Sequence, residues 1–128
     1  MGKSSSVFHL GGYFASRGMR VLLIDNEPQH SLTNGFIGPD AADRLRPAQT
    51  TAALFDEACH PTPDELIFPS QVKGIDLVYG CNALDRYNGP PDLMPDRMRL
   101  AIRNFVDQIR QHYDFILIDN PPNLQLCT

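Results

Sequence analysis

Two short runs constrain this chain more than any other feature: Val21-Leu22-Leu23-Ile24-Asp25 and Phe115-Ile116-Leu117-Ile118-Asp119. A strand with one wet face alternates apolar and polar residues. A strand with no polar position until its last residue must be covered on both faces, as in a parallel sheet between layers of helices. Each run closes on an aspartate. In open α/β sheets the ligand crevice lies at the carboxyl ends of the strands, so Asp25 and Asp119 are expected on one rim. A third, weaker strand is read at Ile75-Asp76-Leu77-Val78-Tyr79, bounded by Gly74 and Gly80.

Helical spacing fills the intervals between the strands. Ser4 to Arg17 carries Val7, Leu10 and Phe14 on one stripe and stops at Gly18. Gly11 and Gly12 interrupt it, which implies either a close approach to the sheet or a modest helix, since each glycine costs up to about 1 kcal/mol in a helix interior. Asp96 to about His112 places Met98, Ile102, Phe105 and Ile109 at three- and four-residue intervals. Gly35 to Gln49, with Gly38-Pro39 and Pro47, reads as a surface connection, as does Tyr87 to Pro95 with Asn88-Gly89-Pro90-Pro91. Thr50 to Ala58 reads as a short helix ended by His60-Pro61-Thr62-Pro63. The alternation of helix and strand predicts an α/β fold, a mostly parallel sheet covered by helices.

With 128 residues the chain supports one core, and residues 1–128 are read as one partial nucleotide-binding domain. A formal charge of −4 removes long-range attraction of the whole chain to DNA or an anionic membrane, and no apolar run approaches the 18 or more residues of a membrane span. No secretory signal is read at the start. Cys59, Cys81 and Cys127 are odd in number and far apart, which suits reduced thiols in a cytoplasmic protein; with the scattered His9, His30, His60 and His112 they offer no metal-ligand spacing.

The opening Met1-Gly2-Lys3-Ser4-Ser5-Ser6 runs straight into the first helix and matches the second half of a phosphate loop, G-x-x-x-x-G-K-[ST]. In such a loop backbone N–H groups and the helix amino terminus hold phosphates, the lysine reaches the β and γ oxygens, and the hydroxyl ligates Mg²⁺. Lys3 and Ser4 suit those roles, and Asp119 suits a carboxylate that holds magnesium through water. The plainer readings are a solvated terminal lysine and a strand-end aspartate capping Asn120-Pro121-Pro122. The same six residues also match M-G-x-x-x-[ST] for myristoylation.

Three ordered segments carry a family resemblance across almost the whole chain. Gly2-Lys3-Ser4-Ser5 resembles the end of K-G-G-V-G-K-[ST]-[ST]. Arg20 to Thr33, through Asp25-Asn26-Glu27-Pro28-Gln29, resembles a strand ending in D-x-D-P-Q followed by small and polar residues. Tyr113 to Leu124 resembles Y-D-x-x-x-I-D-x-P-P-x-L. Together they resemble the ParA-type partition ATPases of the P-loop NTPase class, whose relatives include cell-division-site regulators and the nitrogenase iron protein.

The resemblance implies that Gly2, Lys3, Ser4, Ser5 and Asp119 bind nucleotide, and that Ser4, Asp25 and Asp119 serve Mg²⁺. It implies catalytic roles for Lys3, Asp25 and Glu27, with Glu27 orienting the attacking water where the family normally has aspartate. It implies ATP and Mg²⁺ as ligands, a homodimer, nonspecific DNA and a centromere-binding adaptor as partners, and no membrane. Against the family pattern the first strand, the K-G-G-V half of the loop and the carboxyl-terminal half are missing, so the chain reads as truncated at both ends. Two functional readings follow: a truncated ATPase of plasmid or chromosome partition, uncertain as an enzyme by itself, or a non-catalytic remnant acting as dimerising or regulatory partner of a full-length homologue.

Overall fold

The computed structural model describes residues 3–26, 30–46, 49–55, 62–80 and 95–119. Helix α1 (Lys3–Ser16) leads into strand β1 (Val21–Asp25), followed by helices α2 (Ser31–Ile37) and α3 (Pro39–Asp43) and a 3₁₀ turn at Thr51–Phe55. Helix α4 (Pro63–Leu66), strands β2 (Ile67–Pro69) and β3 (Ile75–Val78), helix α5 (Pro95–Ile109) and strand β4 (Phe115–Asp119) complete the order. The sheet runs β2-β3-β1-β4, with β1 parallel to both β3 and β4 and β2 antiparallel at the edge. The α/β expectation holds, and both aspartate-ended runs are strands with the predicted bounds.

The unbroken apolar character of β1 follows from its position. Val21, Leu22, Leu23 and Ile24 are fully buried, flanked by strands on both sides and covered on both faces. Val21 and Leu23 face a cluster with Leu32, Phe36, Val7 and Phe14 from α2 and α1. Leu22 and Ile24 face the opposite cluster, where Phe105 and Ile109 of α5 pack with Ala53 and Leu66. Ile102, Phe105 and Ile109 form the buried stripe predicted for α5. A 3₁₀ turn at Arg110–His112 then leads to β4.

Several expectations are corrected by packing. In α1 the inward stripe is Val7, Gly11 and Phe14, whereas Leu10 is exposed. A Cβ on Gly11 would lie 3.0 Å from Leu23 Cδ2, so this glycine marks a close approach of helix to sheet; Gly12 has nothing within 4 Å. The stretch from Gly35, expected as a connection, is largely helical. Gly35 lies inside α2, Gly38 at φ 86° ends it by donating its N–H to the Asn34 carbonyl, and Pro39 opens α3. Proline at a first helical position loses no hydrogen bond and has φ already set, so Gly38-Pro39 separates two helices. Likewise Pro63 starts α4, and the short β2 pairs along the outer edge of β3, where Pro69 is tolerated.

The helix expected over Thr50 to Ala58 is a 3₁₀ turn over Thr51–Phe55, and residues 56–58 lie outside the described residues. Tyr79 leaves β3 to form an isolated bridge with Thr50. The connection predicted from Tyr87 also lies outside the described residues up to Pro95, which opens α5. No described helix is long and apolar enough to cross a membrane.

Candidate functional site

The parallel register brings the two strand-ending carboxylates together. Asp25 is the Cα partner of Asp119, and the ladder continues one step further as the Asn26 N–H donates to the Asp119 carbonyl over 2.9 Å. Both aspartates are fully buried. They share the parity of Leu23 and Leu117, so both belong to the sheet face covered by α1 and α2.

The direction of α1 places its amino terminus at the same rim. Phe14, near the end of α1, stacks on Phe115 at the start of β4 with ring centroids 3.9 Å apart, and Gly11 lies over Leu23 in the middle of β1. The helix therefore runs antiparallel to the strands. From Gly11 back to Lys3 it rises roughly 12 Å, while the strand from Leu23 to Asp25 advances only roughly 7 Å. The first turn, with the backbone of Lys3, Ser4 and Ser5, thus reaches past the level of Asp25 and Asp119. The N–H groups of a helix's first turn and the positive end of its dipole, at a rim holding two carboxylates, form a setting suited to an anion bound together with a cation.

The Asp25 carboxylate has a defined set of partners. Its Oδ2 accepts the backbone N–H of Thr33 over 2.9 Å and the Thr33 hydroxyl over 2.5 Å. The Thr33 hydroxyl in turn accepts the Gly80 N–H over 2.9 Å. The preceding residue, His30, occupies the N-cap position of α2 in the left-handed region (φ 44°, ψ 44°) and provides no side-chain cap. Asp25 supplies that cap from the end of β1, since Thr33 is the third residue of the helix. Thr51 closes the other side by donating its hydroxyl toward the Asp25 carbonyl at 2.7 Å and the Tyr79 carbonyl at 3.0 Å.

Gly80 is required here by space. A Cβ at this position would meet the Asp25 carbonyl oxygen at 2.8 Å and Asp25 Cγ at 2.9 Å. Thr33, Thr51 and Gly80 were not among the residues singled out from sequence as site residues. The small polar residues after Pro28-Gln29 were a signal for Thr33, whereas Gly80 had been legible only as the end of a strand. Of the expected residues, Asp25 and Asp119 are brought together and the backbone of Lys3, Ser4 and Ser5 reaches the same rim. Gly2 and Glu27 lie outside the described residues.

A family model described as an AAA domain matches residues 1–128. The chain is 35% identical over 127 residues to a ParA family protein of Chlamydia trachomatis serovar D, covering 95% of this chain and 46% of that protein. It is 30% identical over 129 residues to the sporulation initiation inhibitor protein Soj of Bacillus subtilis, covering 100% of this chain and 48% of the relative. The chain therefore spans about half the length of the curated relatives it matches. Among solved structures, cobyrinic acid a,c-diamide synthase from Mycobacterium smegmatis superposes with a TM-score of 0.76 at 20% identity, over 98% of this chain and 48% of the synthase. This is a likeness of fold. The same synthase has been solved with bound ADP and magnesium.

Proposed function

This chain belongs to the ParA-type partition ATPases of the AAA-domain family, and we propose that its rim at the ends of β1 and β4 binds the phosphates of MgATP for hydrolysis in plasmid or chromosome partition. The observation that carries the reading is the register pairing of Asp25 with Asp119 at the end of the sheet to which the α1 amino terminus points. The donor set fits a magnesium-bound nucleotide: orphan helix N–H groups for phosphate oxygens, and carboxylates for a hard cation that takes oxygen ligands and keeps several waters.

In this reading Gly2, Lys3, Ser4 and Ser5 hold phosphate oxygens, with the Lys3 ammonium at the β and γ positions. Ser4 and Asp119 would hold magnesium, Asp119 through water, and Asp25 shapes the same rim beside it. Magnesium supplies neutralisation of the charge that develops on the transferred phosphoryl group. Glu27 orients the attacking water. Because phosphoryl transfer depends on positioning and charge stabilisation, a carboxylate displaced by about 1 Å can cost roughly a hundredfold in rate. The longer glutamate therefore makes for slow turnover. The reading extends to a cytoplasmic protein acting as a homodimer, with nonspecific DNA and a centromere-binding adaptor as partners.

Titration of the chain with ATP, with and without Mg²⁺, tests the proposal. Binding should require Lys3 and depend on magnesium through Asp119, so Lys3→Ala and Asp119→Asn should both weaken it. Affinity that is the same in both variants and indifferent to magnesium would remove the rim from nucleotide binding.

A further inference from the structure

We propose that Thr33 is a positioning residue for this rim, fixing the Asp25 carboxylate and tying the exit of β3 to the exit of β1. Three buried groups form a directional chain: the Gly80 N–H donates to the Thr33 hydroxyl, which donates to Asp25 Oδ2. The hydroxyl proton and one lone pair are both used, so the side chain has one orientation that satisfies both neighbours. The Thr33 backbone N–H adds a second donor to the same carboxylate oxygen, so helix and side chain fix Asp25 together.

The site is built for this contact. Thr33 is fully buried, and Gly80 lies so close to Asp25 that no side chain fits between them. In a buried setting the loss of one hydrogen-bond partner leaves the other unsatisfied. The chain of bonds joins three elements: β1 through Asp25, α2 through Thr33, and the residue after Tyr79 through Gly80. Asp25 sits in register with Asp119, so the carboxylate that Thr33 holds belongs to the residue beside the second acid of the rim. The consequence for nucleotide rests on the phosphate-site reading above; the positioning itself does not.

The test uses the full chain with three substitutions: Thr33→Val, which keeps shape and loses the hydroxyl; Thr33→Ser, which keeps the hydroxyl; and Ile109→Val, a core control on the opposite face of the sheet. Amide hydrogen exchange in the nucleotide-free chain reads the contact directly. Thr33→Val should speed exchange at Gly80 by about tenfold or more beyond any change in global stability, the loss expected when a buried donor is left without its acceptor. Thr33→Ser should restore protection and Ile109→Val should leave it unchanged. The magnesium dependence of ATP affinity is the second readout: Thr33→Val should need more Mg²⁺, Thr33→Ser should not, and the core control should behave as wild type.

A Gly80 amide as protected in Thr33→Val as in wild type would overturn the proposal. So would a shift in magnesium dependence of the same size in Ile109→Val, because that would reduce the effect to general stability. A wild-type chain that binds no ATP, but in which only Thr33→Val loses Gly80 protection, would overturn the nucleotide reading of the rim and support the positioning role.

Discussion

Gly80 offers the sharpest test of the site geometry, because a single methyl group should meet atoms that have nowhere to move. In Gly80→Ala the added Cβ would stand 2.8 Å from the Asp25 carbonyl oxygen, 2.9 Å from Asp25 Cγ and 3.1 Å from Oδ1. Asp25 belongs to a central strand held by β3 on one side and β4 on the other, so relief has to come from Gly80 itself. Moving it outward stretches its N–H bond to Thr33. Overpacking of a filled interior costs about 1–3 kcal/mol and a lost internal hydrogen bond about 1 kcal/mol, so the substitution should destabilise by about 3 kcal/mol.

Gly12→Ala supplies the internal comparison. It makes the same chemical change at a helical glycine with nothing within 4 Å, and should stabilise by up to about 1 kcal/mol because alanine is the better helix former. Urea unfolding monitored by circular dichroism gives both values. With a slope of about 1.5 kcal/mol per molar, the midpoint should fall by about 2 M for Gly80→Ala and rise by up to about 0.7 M for Gly12→Ala. A Gly80→Ala midpoint equal to that of wild type would refute the close packing of Gly80 on Asp25. Equal shifts for the two substitutions would refute the argument that space decides the sign.

Three further outcomes are expected. His30 holds φ 44° without being glycine, and its ring pairs with Asn34 Oδ1 over 3.0 Å, so His30→Asn, which suits the backbone and loses that contact, should lose about 1 kcal/mol in urea unfolding, whereas the β-branched His30→Val should lose about 2 kcal/mol or more. The Tyr113 hydroxyl donates to Asp76 Oδ2 over 2.7 Å, and burial followed by the Asp76 contacts raises its pKa well above the usual value near 10. The neutral phenol is the form favoured by folding, so its contribution is complete below pH ~10 and declines as pH rises toward the folded value; Tyr113→Phe should be less stable by about 1 kcal/mol at pH 7 and lose less stability above pH 10. Glu27→Ala should retain ATP binding and lose hydrolysis, while Glu27→Asp should raise turnover at nearly unchanged affinity, which single-turnover measurements would separate.

What the sequence made legible depended on how far each signal reached along the chain. Burial on both faces forces an unbroken apolar run, as in β1, and β4 carries the same pattern although it is only partly buried at the edge of the described sheet, so both could be bounded to the residue. The stripe of α5 was equally plain because Ile102, Phe105 and Ile109 are all buried, the last two within one cluster. In α1 the same reasoning chose Leu10 over Gly11, since hydrophobicity marks which residues can be buried and a glycine gives no such mark. Only the proximity of Leu23 turned Gly11 inward. The helix pair around Gly38-Pro39 and the edge strand β2 were missed for a related reason: glycine and proline punctuate the chain whether the next element is a loop, a helix or a strand.

The candidate site divides along the same line. Asp25 and Asp119 could be placed on one rim because parallel strands ending in the same residue type must share an end of the sheet, and the register then made them neighbours. Their supports could not be read in that way, because Thr33 and Gly80 lie 8 and 55 residues from Asp25 and meet it only through the fold. The left-handed His30 turns α2 so that its first turn faces back toward β1, and a helix whose N-cap offers no side-chain bond needs an acceptor from elsewhere. Asp25 is that acceptor. A residue chosen from the sequence for a role toward nucleotide therefore also secures the helix that follows the strand, so any event that draws on its carboxylate must act on α2 and on Gly80 as well.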